Sequence, residues 1–482
     1  MPDTITSEEM DALDTNCEYF GLPRLALMES AGAAVAGEIE QRFDRGKVVI
    51  FAGLGNNGGD AFVAARHLKK FDVEIILLGS PDAIKTEEAK RNWGILKHGK
   101  ITVQEVRDSK DMRPVKSDII IDAIFGTGVR GRMREPFLTA INIINGSRAF
   151  VLSVDIPSGM DPDTGAGEKV VRADLVLTFH RMKTGLAKYK GDVKVAGIGI
   201  PEFIEKLAGP GDVKMVAKRS PDSHKGDNGR VLIVGGGAYF GAPSLAALAA
   251  LRTGADIVTL AVPKSVSGII SSFSPNFILR PLSGDVLTTD DLPRVRELMK
   301  THDVTVIGMG LGKGEKTVRA IKSIISDAGK LVVDADALIP LKFPRGKTIV
   351  TPHAGEFERL SGVEVPEDDG SRISAVKEFS RDRGITTLMK GREDIISDGL
   401  RVKVNRTGNA GMTVGGTGDV LAGITAALYA ITNDSFKAAT AAAFLSGASG
   451  DLAFGELGVG LNATDVIEKI PAVIKRYAGS FI

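Results

Sequence analysis

Lys47–Leu68 reads KVVIFAGLGNNGGDAFVAARHL. Its first residues form a short, unbroken apolar run rich in β-branched and aromatic side chains, the mark of a strand buried on both faces. A glycine-rich turn follows, and then a stretch of helix-forming residues. Gly53, Gly55 and Gly58 satisfy G-x-G-x-x-G, which sets backbone N–H groups at a helix N-terminus where an anion can sit. A dehydrogenase would also need an acid at the tip of the next strand to hold a ribose. That strand ends Leu77-Leu78-Gly79 and has none. The turn carries Asn56, Asn57 and Asp60 instead. The plainer reading is a structural turn with Asp60 as a helix N-cap.

Outward from this unit, the first half alternates strands and helices. Met10–Arg42 predicts two helices, the second opening at Pro23,. DVEIILLG, DIIIDAIFG, AFVLSVD and ADLVLTF predict further strands. The pattern loosens over Gly197–Asp227, so a domain boundary is expected there, with one domain over 1–212 and another over 213–482,. The second half begins with RVLIVGGG, a small-residue helix over Ala242–Thr253, and then IVTLAVP, VTVIGMG, KLVVDAD, KTIVTP and TTLMKG. Both halves predict α/β domains built on parallel sheets.

Composition agrees and excludes some classes. The chain has 482 residues, 43% of them apolar, and a net charge of +1 from 61 basic and 60 acidic side chains. Such balance predicts neither a nucleic-acid nor a membrane surface. The single cysteine, Cys17, excludes an intrachain disulfide and a zinc cluster and reads as a small buried residue,. The polar, acidic start MPDTITSEEMDALD is no signal peptide, and a cytoplasmic location is expected,. Glycine is about 12% of the chain, against an ordinary value of about 7%,. The glycines gather at the ends of apolar runs.

Two further strand ends in the first half are polar. DIIIDAIFGTGVRGR sets Asp122 at a strand tip, followed by three glycines, Arg130 and Arg132. FVLSVDIPSGMD sets Asp155 at another, with Ser158 after a proline. Ligands of open parallel sheets bind outside the C-terminal strand ends. Asn and Ser oxygens there, with one carboxylate, suit a hard monovalent or divalent cation, and Asp155 suits acid–base work. Lys183, after LTFHRM, reads equally well as a surface lysine and as a site residue.

The second half carries GNAGMTVGGTGDVLAGITAALYA, Gly408–Ala430. Gly415, Gly416 and Gly418 present N–H groups at the start of a long helix, and Asp419 stands beside them. A carboxylate to take a hydroxyl proton and an anion hole for phosphoryl charge are what phosphoryl transfer to an alcohol needs. Lys390 and Gly391 in LMKGRED suit nucleotide phosphates. Asp334 and Asp336 in VVDADAL either assist magnesium or cap a turn. His353 in TPHAGE, at a strand-to-helix junction, is as readily structural as functional.

GLGNNGGD, DAIFGTG and SVDIPSGMD together resemble the NAD(P)H-hydrate epimerase domain over most of residues 1–212. The resemblance implies a Rossmann-like three-layer domain that interconverts the R and S epimers at the hydrated carbon of the nicotinamide ring. Asn56, Asn57, Gly58, Gly59 and Asp60, with Gly126, Thr127, Gly128, Val129, Arg130, Gly131 and Arg132, would hold the dinucleotide. Potassium would sit on Asn57, Asp122 and Ser158, and Asp155 would contact the reacting ring.

SHKG, FGAPS, GLG, DADAL, TPHAGE, KG and GNAGM-x-x-GGTGD, in that order over about residues 220–470, resemble the NAD(P)H-hydrate dehydratases, a ribokinase-like α/β branch. Two positions depart from the usual pattern: Met309 and Ala354 each stand where proline is common, and neither change removes a functional group. The resemblance implies that Asp419 deprotonates the ring hydroxyl. It puts Ala242, Gly312 and His353 on the hydrate. It puts Lys390, Gly391, Arg392, Glu393, Asp394, Asn409, Gly415, Gly416, Thr417 and Gly418 on the nucleotide, which is ADP with magnesium. A homo-oligomer is also expected. A small-alcohol kinase would share the second loop but would not need the first domain. A non-catalytic dinucleotide sensor would need neither Asp155 nor Asp419.

Overall fold

The computed structural model describes residues 4–128 and 133–477. Val129, Arg130, Gly131 and Arg132 lie outside the described residues. The chain divides into two compact units, one ending at Glu202 and the other beginning at Phe203. The second unit thus starts earlier than the 213 expected. Its opening segment is tied in by Ala208 N donating to Val404 O at 2.9 Å and by the Lys403–Asp212 ion pair at 2.6 Å. Sequence composition carries no trace of such long-range ties.

The first unit runs β1 (Thr4–Ile5), α1 (Ser7–Tyr19), α2 (Arg24–Arg42), β2 (Lys47–Ala52), α3 (Asn56–His67), β3 (Asp72–Leu78), α4 (Glu87–Leu96), β4 (Thr102–Val106), β5 (Ile119–Ala123), α5 (Phe137–Gly146), β6 (Phe150–Val154), β7 (Leu175–Phe179), β8 (Met182–Lys183) and β9 (Asp192–Ala196). Seven strands form one parallel sheet in the order β4-β3-β2-β5-β6-β7-β9. The order reverses between β2 and β5, and such a switch point opens a crevice at the C-terminal strand ends. The central strands are buried on both faces. Phe51, Ile120 and Ile141 lie in a core where each side chain contributes about 1.5–3 kcal/mol,. The small parallel pair β1–β8 sets Ile5 opposite Lys183. α1 begins with a capping box, in which Thr6 Oγ1 accepts from Glu9 N and Glu9 Oε2 accepts from Thr6 N,.

The second unit has nine strands: β10 (Arg230–Val234), β11 (Ile257–Val262), β12 (Ile278–Pro281), β13 (Val304–Ile307), β14 (Leu331–Val333), β15 (Thr348–Val350), β16 (Thr386–Met389), β17 (Asp394–Ser397) and β18 (Val402–Asn405). Their order is β12-β11-β10-β13-β14-β15-β16-β17-β18, parallel except for the antiparallel β16–β17–β18 edge. Helices Gly241–Thr253, Thr417–Ile431 and Ser435–Leu457 share one core with the sheet. Gly423 matters in it: a Cβ there would lie 2.1 Å from Ala246 O. The Thr417–Ile431 helix therefore rests directly on its neighbour's backbone, which fixes where Asp419 points.

Candidate functional sites

In the first unit the glycine turn after β2 is a close fit. A Cβ on Gly53 would meet Ile124 O at 1.9 Å, and one on Gly58 would meet Gly53 O at 2.1 Å. α3 starts at Asn56, so Asp60 lies inside the helix and is not its N-cap; Gly55 holds that position. Asn57 reaches across the crevice, and its Nδ2 donates to Phe125 O at 3.0 Å and Val154 O at 3.1 Å. Asn56 is exposed on the same turn, and Gly58 and Gly59 are buried. A Cβ on Gly126 would come within 3.2 Å of Asn57 Oδ1, so the Gly126–Gly128 loop lies over this residue.

Asp122, at the end of β5, is fully buried. Its Oδ2 accepts from Ser153 Oγ at 2.7 Å and Ser158 N at 2.9 Å, and its Oδ1 accepts from Ser158 Oγ at 2.6 Å. Burial still pushes its carboxyl above the usual range, against those hydrogen bonds,. Asp122 and Ser158 are thereby joined, and Phe125, whose N donates to Ser158 Oγ at 3.0 Å and whose O accepts from Asn57, links them to Asn57.

Beyond β6 the backbone of Asp155 takes φ 63°, a left-handed conformation that costs a non-glycine residue on the order of 1–3 kcal/mol,. Among the described non-glycine residues only His180 and Ala335 share a positive φ. All three stand just past strand ends of the two candidate sites. The turn aims Asp155 Oδ1 at Lys183 Nζ, 2.7 Å away. Lys183 is 1% exposed and also donates to Phe179 O at 2.9 Å and Thr178 Oγ1 at 3.3 Å. The surface-lysine reading of Lys183 is corrected: it is a buried partner of Asp155.

The second site gathers at the corresponding edge of the second sheet. Gly416, at φ 98°, caps the Thr417–Ile431 helix, and Thr417 Oγ1 donates back to Met412 O at 3.0 Å. Asp419 follows in the first turn, its carboxyl making no hydrogen bond to any described residue. Burial raises its carboxyl to about 7; Asp334 adds to the rise, and Lys390 works against it. A Cβ on Gly418 would lie 3.3 Å from Lys390 Nζ. Gly418 thus lies against the lysine.

Lys390 Nζ donates to Asp334 Oδ1 at 2.9 Å and lies 3.8 Å from Glu356 Oε2. Burial opposes the charge of Lys390, yet Asp334 and Glu356 hold its ammonium above the usual lysine range. Asp334 also accepts from Thr351 Oγ1 at 2.8 Å, so it serves as the lysine's counter-charge. Asp336 accepts from Gly312 N at 2.9 Å and so fixes the GLG loop. Gly391 N donates to Asp394 Oδ1 at 3.0 Å, and burial raises Asp394 to about 6. Arg392 is exposed, and Glu393 pairs with Arg406 at 2.9 Å.

His353 has a structural duty. Its Nδ1 accepts from Glu356 N, and Glu356 Oε2 accepts from His353 N, closing a capping box on Ala354–Ser361. Its ring is exposed, and its backbone runs beside that of Lys390, with which it forms a β-bridge. Ala242 is half-buried near the start of its helix. Asn409 is engaged with Gly411 N and with Asp451 Oδ1. Asp451 also accepts from Gly408 N at 3.0 Å. It carries the nucleotide-type loop from a helix forty residues on, and no motif singles it out.

Known proteins match this arrangement in both halves. The family described as NAD(P)H-hydrate dehydratase matches residues 231–472, and the family described as YjeF-related protein N-terminus matches residues 24–185. A bifunctional NAD(P)H-hydrate repair enzyme from Archaeoglobus fulgidus is 50% identical over 98% of each chain. One from Methanothermobacter thermautotrophicus is 47% identical over 97% of this chain and 94% of that one. The crystal structure of an ADP/ATP-dependent NAD(P)H-hydrate dehydratase from Bacillus subtilis, co-crystallized with ATP and magnesium, is 28% identical. It covers 56% of this chain and 98% of its own, with a TM-score of 0.51. With both halves matched in order and the relatives aligned end to end, the chain belongs to the bifunctional NAD(P)H-hydrate repair enzyme family.

Proposed function

We propose that the chain repairs hydrated nicotinamide dinucleotides at two sites, with Asp155 and Lys183 working at one and Asp419 at the other. The first epimerises the R and S forms of the NADH and NADPH hydrates, and the second dehydrates the S form at the expense of ADP. The observation that carries this reading is the placing of Asp419: an unbonded carboxyl, raised to about 7, beside backbone donors and a fixed lysine. A general base is most effective with a pKa near the working pH. Asp419 takes the proton of the ring hydroxyl, and the oxygen attacks the terminal phosphorus of ADP. N–H groups of Gly415–Gly418 stabilise the transferred group, and AMP departs. Phosphate then leaves the ring carbon with the carbon–oxygen electron pair, and the adjacent carbon gives up a proton, its C–H pair re-forming the double bond.

Magnesium comes with the nucleotide and neutralises phosphate charge. Among the described residues no group of three or more His, Cys, Asp or Glu side chains could hold a metal ion. At the first site the residues fit a monovalent cation. Asp122 is fully buried, and no ion-pair partner is found for it among the described residues. Asn57 Oδ1 and Ser158 Oγ supply further oxygens. These three would hold potassium, which supplies fixed positive charge beside the turn that receives the substrate.

The test is absorbance at 340 nm on a mixture of R and S NADPH hydrates with magnesium, potassium and either ADP or ATP. Complete recovery of NADPH with ADP is expected. Recovery that halts at the S fraction removes the epimerase, and none with either nucleotide removes the dehydratase.

A further inference from the structure

The first site holds more acid than its reading uses. Lys183 and Asp155 bond to each other, but Asp60 and Asp14 face the same pair. Asp60 is 9% exposed and has no hydrogen bond or ion pair with any described residue. Asp14 has none either. Buried polar groups are nearly always bonded, so the bare carboxyl of Asp60, with the half-buried one of Asp14 facing it, needs an explanation.

The geometry begins at the start of the chain. Pairing of β1 with β8 puts Ile5 opposite Lys183, and Ser7 then bonds to Asp163 through both its N and its Oγ, at 2.7 and 2.6 Å. α1 is thus anchored at its first turn beside the lysine's strand. Along α1, Ser7, Met10, Asp14 and Cys17 follow helical spacing,. Ser7, Met10 and Cys17 are buried, so Asp14 lies in the inward stripe where an apolar residue would ordinarily stand,.

We propose that Asp14 is a proton-holding residue of the N-terminal site, acting in the same epimerisation as Asp155 and Lys183. The proposal rests on the epimerase reading above. The acid form of Asp14 gives its proton to the hydroxyl oxygen on the hydrated carbon. The carbon–oxygen bond breaks with its electron pair going to oxygen, which leaves as water, and the ring nitrogen's lone pair forms a C=N bond. Water then adds from the opposite face, its oxygen bonding to carbon as the C=N pair returns to nitrogen. The surplus proton returns to the Asp14 carboxylate.

The charges facing Asp14 are Arg24 from α2, Asp11 from its own helix, Lys183 from β8, Asp155 after β6 and Asp60 from α3. Burial raises Asp14 to about 6, with Arg24 opposing and Asp11 adding. Burial raises Asp60 well above the usual range, and Asp155 and Asp14 add to it. Burial and the neighbouring carboxylates thus favour the protonated forms of Asp14 and Asp60,.

The experiment follows R-to-S conversion chromatographically in the full chain from pH 5 to 8.5, with the uncatalysed rate subtracted. Dehydration of the pure S form is measured alongside as an internal control. In wild type the rate is expected to fall as pH rises past about 6, because the acid form is lost. Asp14→Asn should lose about a hundredfold or more with dehydration unchanged. Asp14→Glu should regain much of that loss with its pH limb displaced. An Asp14→Asn rate within a few fold of wild type overturns the proposal. So does an Asp14→Glu limb that coincides with wild type, and this second variant carries the test if the first fails to fold. A wild-type chain that leaves the R form untouched ends the epimerase reading itself, which is a separate result.

Discussion

Each unit places one carboxylate and one lysine together at the C-terminal edge of a parallel sheet, and the two do so in opposite ways. In the first, Lys183 is buried and closed directly onto Asp155. In the second, Lys390 is held by Asp334 and Glu356, and Asp419 stands close by without a bond. The difference teaches that the same two residue types give different chemistry according to who holds the lysine. A lysine bonded directly to the carboxylate fixes its direction. A lysine held by a third group leaves the carboxylate free to titrate near neutrality.

The strongest way to break this contrast is Asp419→Asn. Dehydration of the S hydrate should fall by roughly 10²–10⁴-fold while R-to-S conversion is unchanged, as read by 340 nm absorbance and chromatography on one preparation. Loss of both activities would mean that the two sites are not separate.

Next is Lys183→Met, which leaves Asp155 buried without its partner. Breaking such a pair costs about 3–5 kcal/mol, so calorimetry should show the first unit melting earlier and epimerisation lost. Dehydration measured below that transition should survive.

A third measurement sharpens the role of the free carboxyl. A base works deprotonated, so dehydration should rise with pH and level off above about 7, far above the ordinary aspartate range. Lys390 pulls that value down, so in Lys390→Met the limb should move to higher pH. The KM for ADP should also rise about tenfold, the worth of one charge-assisted hydrogen bond. The smallest effect is ionic: exchanging potassium for choline at constant ionic strength should slow epimerisation and leave dehydration as it was.

The contrast also shows what the sequence can tell. Central strands such as β2, β5, β10 and β13 are continuous apolar runs, so each was legible. The edge strands β4 and β9 are largely exposed and polar, and the β17–β18 hairpin lies beyond the parallel core. None of these announces itself by periodicity. The glycine loops and their aspartates were legible because close backbone approach allows so few residue types. Lys183 was not, since burial of a lysine depends on a fold that brings Asp155 to it. Asp14 was less so, in an acidic helix that looks like surface. Asp60 as a cap failed because α3 opens four residues earlier.

The β1–β8 pair is two residues long, and so short a pairing is marginal by itself. Segments of this kind open locally, and amide hydrogen exchange reports the opening. Deuterium uptake in peptides covering Thr4–Ile5 and Met182–Lys183 therefore serves as a gauge of order at the first site, readable without substrate, nucleotide or turnover.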